Sequence, residues 1–287
     1  MASKWLYTSF EEIAKAHEEF LARPKPKVTL TLDEWTQYRD VLRKLNEKAA
    51  DEFRDAVWNI NGKWKGIGLG FVERDDIIYY AYELVTKYSE GATEAACEFY
   101  DAIAELSGAK VPPAVPAETA TLDDVQRTLH GVVKQSQNED VIANALGRLV
   151  KQAGQDTTLL NAARDGAEFA WIPHGETCAF CLTLASRGWQ HISKRTLKNG
   201  HAEHIHANCD CAYCVRFDDT TTVEGYNPDA YLRMYYAADG NTPKQRINAM
   251  RRDFYAEKKE EINKQKRDAY EKRKELNSSS AEETDVS

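Results

Sequence analysis

The sequence predicts a mainly α-helical protein, and three observations predict it. Apolar residues recur at spacings of three and four through most of the first half of the chain, the period of a helix face. Capping pairs precede these stretches, and proline or glycine separates them. Strand-length extended pieces are confined to the second half, beside a cluster of cysteines and histidines. The expected organisation is an N-terminal helical region (1–110), a Pro-rich linker (111–120), a second helical region (121–171) and a small cysteine-rich module with short β-strands (172–240). A long charged C-terminal helix (241–276) and a disordered tail (277–287) complete it.

Each element has its own signal. Ser9 with Glu12 reads as a capping box for a helix to about Ala22, which Pro24 and Pro26 end. Thr31 with Glu34 repeats the signal ahead of a long stripe: Trp35, Tyr38, Leu42, Leu45, Ala49, Phe53, Val57 and Ile60. That stripe is a packing face. Asn61-Gly62 and the glycines at 66, 68 and 70 break it. Their spacing is not that of a phosphate-binding loop, and no Lys-Ser/Thr follows, so they read as a turn. Helical spacing resumes through Ile77, Tyr80, Ala81 and Leu84, then through Ala95, Phe99, Ile103 and Leu106. Cys97, alone in this stretch, reads as a small packing residue.

Val111-Pro-Pro-Ala-Val-Pro116 cannot be helix. Thr121 to Asp124 caps the next helix, carrying Val125, Leu129 and Val132 or Val133. Helix is expected again through Ile142, Leu146, Leu149 and Val150, and from Leu159 to Trp171. Extended pieces are expected around Trp189 to Ser193 and from Ala212 to Phe217. Asn227-Pro228-Asp229 starts one helix and Thr242-Pro243 the last, with proline at the first helical position. From Lys244 to Leu276 there are 12 Lys/Arg against 7 Asp/Glu over a thin apolar seam of Ile247, Met250, Phe254 and Ile262. That composition suits a helix docked at its start and solvated beyond. The polar stretch from Asn277 onward has little with which to form a core.

Composition excludes several function classes. The net charge is −8, which does not suit a general nucleic-acid coat, since phosphate binding needs concentrated Lys and Arg. No apolar run approaches the roughly 20 residues that span a bilayer, and Met1 to Phe10 lacks a signal-peptide core. The expected compartment is cytoplasm-like, where closely spaced cysteines stay reduced and mark metal rather than disulfides.

The metal candidates lie between Cys178 and Cys214, which hold five of the six cysteines. Zinc takes four tetrahedral ligands, mostly thiolate and imidazole. Cys178-x-x-Cys181 supplies two thiolates from one turn, and His206-x-x-Cys209, with Cys211 two positions on, supplies the second half. The expected set is Cys178, Cys181 and His206 plus Cys209 or Cys211, with Cys214, His201 and His204 in reserve. The expected role is a structural zinc knot, because zinc binding adds directly to folding free energy.

Three catalytic readings compete. His201-x-Glu203 with Cys211-x-x-Cys214 imitates a zinc deaminase signature, but the halves are only seven residues apart and no proline precedes Cys211. His204, His206 and Asn208 could serve a metal nuclease, without a clear carboxylate. Cys178 or Cys181 with His174 could make a thiol enzyme, which leaves the downstream ligands unexplained. A closed knot without catalysis accounts for more of the residues.

Four segments occur in fixed order: Ile172-Pro-His-Gly-Glu-Thr-Cys-Ala-Phe-Cys181, Leu184-Ala-Ser-Arg-Gly188, His206-Ala-Asn-Cys-Asp-Cys211 and Val223-Glu-Gly-Tyr-Asn-Pro-Asp229. Over residues 160 to 235 this resembles the minor capsid proteins of tailed phages and prophages, the Mu F-like head morphogenesis group. That family's Cys-x-x-Cys and His-x-x-Cys-x-Cys pattern falls on Cys178, Cys181, His206, Cys209 and Cys211. The resemblance implies a structural virion protein, not an enzyme. It would sit inside the head near the portal and act in head assembly, DNA packaging or ejection. Portal and capsid proteins are the implied partners, with no membrane, and the host cytoplasm is the site of assembly. The residues after Asp229 are too few for the additional enzymatic domain that some members carry. The charged C-terminal helix can supply a contact to packaged DNA. The alternative function is a zinc-dependent nucleic-acid enzyme, a deaminase or nuclease.

Overall fold

The computed structural model describes residues 29–30, 32–61, 71–134, 139–174, 177–192 and 211–282. The helix expected from Ser9 to Ala22, the glycine turn at 62–70 and the stretch from 193 to 210 lie outside them.

Among the described residues the chain is mainly helical. A two-residue strand β1 (Thr29–Leu30) leads into helix α1 (Leu32–Asn61). Then come α2 (Phe71–Leu106), α3 (Leu122–Val133) and α4 (Glu139–Asp165). The second half supplies β2 (Glu168–Ile172), the short α5 (Ala179–Ala185), β3 (Ala212–Arg216) and β4 (Thr222–Val223). Helices α6 (Pro228–Ala237) and α7 (Pro243–Glu282) finish the chain. Helices α1, α2 and α4 pack on one another, and α3 closes against α2 and α4. Where its side chains are described, the stripe read from sequence is the inner face of α1: Trp35, Tyr38, Leu42, Ala49 and Phe53 are buried and Leu45 is half-buried, while the side chains of Val57 and Ile60 lie outside those described. Tyr38 stacks on Phe99 of α2 at 4.1 Å between ring centroids.

Helices α1 and α4 approach closely because glycines of α4 face α1. A Cβ on Gly147 would stand 2.8 Å from the Asn46 carbonyl oxygen, and one on Gly154 would stand 3.0 Å from both Leu42 Cδ2 and the Ala92 carbonyl oxygen. Gly147→Ala would gain helix propensity of about 1 kcal/mol, but it must push a backbone carbonyl aside. A net loss of about 2 kcal/mol is expected from the forced repacking, measured by urea denaturation. An unchanged or raised midpoint would show that the two helices do not meet this closely.

The two stretches expected as successive helices between residues 77 and 106 form a single helix, because Gly91 packs under Leu45 and does not break it. Leu106, counted in the apolar stripe, is exposed. The helix turns off at Gly108, whose φ of 63° allows Ala109 N–H to reach back to the Ala104 carbonyl.

The helix expected from Leu159 to Trp171 is corrected more sharply. It ends at Asp165, Gly166 takes φ 63°, and Ala167 N–H donates to the Ala162 carbonyl. The chain then enters β2, which pairs antiparallel with β3, Glu168 opposite Arg216 and Ile172 opposite Ala212. Helix-forming alanines hid this switch, since a strand partner more than forty residues away decides it. The piece expected around Trp189 supplies one bridge, Gln190 to Phe169. Strand β1 pairs parallel with β4.

The Pro-rich segment is non-helical and strapped down. Ala114 N–H donates to Asp101 Oδ1, Val115 N–H to Asn161 Oδ1 and Ala117 N–H to Thr157 Oγ1. Arg164 donates to the carbonyls of Pro112 and Pro113. Its prolines need no donor-side partner, so side chains of α2 and α4 satisfy what remains. The capping box of α3 forms between Thr121 and Asp124. Helix α7 starts at Pro243, as expected. It continues to Glu282, into the stretch assigned to disorder, because no proline or glycine follows Pro243 to stop it.

Candidate functional site

The cysteine region is built on the β2–β3 ribbon, which lies against α4 and α2. Tyr213 fixes it there. Its ring is buried between Phe169 (5.3 Å) and Trp171 (4.7 Å), and its N–H donates to Gln155 Oε1 of α4 at 2.6 Å. On the other face Glu168 and Arg216 form an ion pair, with Nε and Nη2 of Arg216 both 2.5 Å from Oε2. Trp189 covers the guanidinium at 4.8 Å.

Cys178 is the N-cap of α5, and its sulfur accepts the Cys181 N–H at 3.4 Å. The residue is half-buried, whereas Cys181 is fully buried. Helix α5 divides its faces. Cys181 and Ala185 join the main core, whereas Ala179 and Leu182 form a second small core with Met250 of α7. Tyr226 adds a hydrogen bond from its hydroxyl to the Ala185 carbonyl.

Cys211 is buried at the threshold of β3. Cys214 is inside the strand, wholly buried, with its S–H directed to the Val215 carbonyl. Burial drives its thiol far above the ordinary range. In this fold it is a core thiol. His201, Glu203, His204, His206, Cys209 and Asp210 lie outside the described residues. Among the described residues no three His, Cys, Asp or Glu side chains converge as a metal set. The donors Cys178 and Cys181 have the chemistry zinc takes. Strand alternation does not choose between Cys209 and Cys211, since positions two apart share a face.

Cys97 is half-buried, and burial, then Asp101, push its thiol up to about 11. It is a neutral packing residue at physiological pH. The groove beside β2, lined by Phe169, Trp171, Leu184, Arg187, Gly188 and Tyr213 among others, is shallow and open to solvent, with room for little more than a water molecule.

Sequence reading passed over Asp218, two residues beyond the end of β3. Its Oδ1 accepts the N–H groups of Thr220 and Thr221, both at 2.7 Å, and the Thr220 hydroxyl at 2.6 Å. The Thr221 hydroxyl reaches Oδ2 at 2.7 Å. The spacing Asp218-Asp-Thr-Thr221 was the available signal. Burial works to raise this carboxyl's pKa, but the four donors outweigh it and hold it below the ordinary aspartate range. Its contribution is therefore complete above the unfolded pKa of about 3.9 and is lost as pH falls through the lower folded value. Asp218→Asn is expected to cost about 2 kcal/mol at pH 7. The gap from wild type should narrow below about pH 4, measured by denaturation across pH. A gap that stays constant to pH 2 would refute the charged role.

Among the described residues no helix is long and apolar enough to cross a membrane. A family model described as VG15 protein matches residues 29–238. No curated protein and no solved structure matches the chain. The matched span holds α1 through α6 and both described halves of the cysteine region. Covering well over half of the sequence, it shows that the chain belongs to the VG15 protein family, which points to a phage-encoded protein.

Proposed function

We propose that the protein is a non-enzymatic minor capsid protein of a tailed phage or prophage, close in role to the Mu F-like head morphogenesis group. It acts inside the head near the portal, in assembly, packaging or ejection. The family match over residues 29–238 carries this reading. The form of the molecule supports it: a helical body, and a 40-residue helix α7 in which Ala249 and Met250 are the only buried residues described. Beyond Phe254 its described side chains are largely exposed, leaving a charged rod free for portal, capsid or DNA. One structural zinc is part of the reading, held by Cys178, Cys181, His206 and Cys209 or Cys211.

The test is co-expression with the portal and major capsid proteins of the same phage, followed by purification of heads. Low-copy incorporation is expected, reduced when the chain is cut after Ala256. Heads containing none of the protein would sink the proposal. So would a deaminating or DNA-cleaving activity that Glu203→Ala abolishes.

A further inference from the structure

The interface between α1 and α4 contains a group of buried donors with nothing to accept them. Arg39 is 5 % exposed, Lys151 3 % and Gln155 0 %. Among the described residues Nε and Nη1 of Arg39, Nζ of Lys151 and Nε2 of Gln155 have no hydrogen-bond partner. Arg39 Nη2 alone is engaged, at 2.8 Å from Asp40 Oδ1. Gln155 has already used its one acceptor on Tyr213 N–H.

The helix register brings these residues together. Gly147 meets Asn46, and Tyr38 meets Thr158 at 3.5 Å, so α1 and α4 run antiparallel. Arg39 lies two turns before Asn46 on the same face of α1, and Lys151 lies one turn after Gly147 on the same face of α4. Moving the same way along both axes, Arg39 comes level with the turn from Lys151 to Gln155.

The register therefore sets two buried cationic side chains and a buried amide, all offering donors, at one level of the interface. Asp40 pairs with one edge of the Arg39 guanidinium, but among the described residues nothing pairs with the Lys151 ammonium; an uncompensated buried cation is costly, and a second cation beside it repels as well. Another donor cannot relieve this. Water offers acceptors but no charge. The complement is a group that only accepts and is negative. Arginine presents a planar fork suited to such a group, and lysine a point charge.

We infer that Arg39, Lys151 and Gln155 form a binding site for a small oxyanion, phosphate-like or carboxylate, enclosed between α1 and α4. The bound anion belongs to the folded state, so it stabilises the body by mass action. The site is on the opposite side of Gln155's amide from the cysteine ribbon, joined to it through Tyr213, and it does not depend on zinc or on a virion role.

The test is thermal unfolding of the full chain in inorganic phosphate, in sulfate and in acetate, each against sodium chloride of equal ionic strength. Wild type should gain several degrees in at least one oxyanion. A gain in phosphate and sulfate alone assigns a tetrahedral ligand, and one in acetate alone assigns a carboxylate. Lys151→Met should lose the gain while melting no lower than wild type in chloride, since it removes an unneutralised charge. Lys151→Arg should keep most of the gain, which separates charge from packing if the methionine variant folds poorly. Equal gains in wild type and Lys151→Met, or no gain in any of the three anions, would overturn the site.

Discussion

Replacing Cys178 and Cys181 together by serine is expected to remove one equivalent of zinc per chain and to loosen helix α7 from the body. The argument begins with α5. Its first turn is capped by the Cys178 sulfur, which takes the Cys181 N–H. Its two faces hold the main core on one side and Met250 of α7 on the other. A seven-residue helix has little stability of its own. On the proposed reading, zinc ties its start to the segment carrying His206 and Cys209. Structural zinc contributes roughly 10 kcal/mol or more to isolated zinc-finger peptides. Here the β2–β3 ribbon keeps its own contacts with the body, so the expected loss is smaller. It should still exceed the ~0.5–3 kcal/mol of an ordinary point substitution. Elemental analysis gives the metal content, and limited proteolysis between Ala238 and Ala256 reports the docking of α7. Cys97→Ser and Cys214→Ser serve as controls that should retain zinc. Wild-type protein purified under reducing conditions without zinc would sink the metal assignment. Zinc retained by the double variant would sink the ligand assignment.

What could be read from the sequence follows the range of the interactions involved. The α1 stripe was legible because every residue in it answers to a period of 3.6. The Asn227 and Thr242 starts were legible because caps are local. The turn from α4 into β2 was not. Residues 167 to 172 read equally as helix until residues 212 to 216 pair with them, and Gly166 was the only local warning. The strap at 112–117 was legible as non-helix, but not its attachment. Asp101, Thr157, Asn161 and Arg164 are polar helix residues that carry no sequence mark of holding a distant backbone. The buried polar run Gln155 to Thr158, Asn161 and Arg39 escaped for the same reason. Burial of a polar side chain is a tertiary fact. At the candidate site the Cys178 pair was legible by its spacing. The core role of Cys214 appeared only once β3 was seen to lie under α4 and α2.

That placement carries the second large prediction. The sequence reads the cysteine module as a zinc knot whose folding free energy comes from the metal. In the structure its ribbon shares the core of the helical body. Tyr213 is 2 % exposed, packs edge-on against Phe169 and Trp171, and lies over the Gln155 turn of α4. Truncating a buried aromatic of this kind typically costs about 3–5 kcal/mol, from lost transfer energy and the cavity left behind. Tyr213→Ala is therefore expected to lower the melting temperature by about 10 °C. It should do so for the whole body, because no element stands between the ribbon and α4 to absorb the defect. Far-ultraviolet circular dichroism reports the helices, and near-ultraviolet circular dichroism reports the buried aromatic packing. The two should melt together at the lower temperature. If the near-ultraviolet signal fell early while the helices melted at the wild-type temperature, the ribbon would be a separate unit. The cysteine pair would then hold a module that folds apart from the bundle. Coincident melting instead means that the ribbon and the helical core form one cooperative structure, so that on the proposed reading loss of zinc at Cys178 would be felt as far as α1.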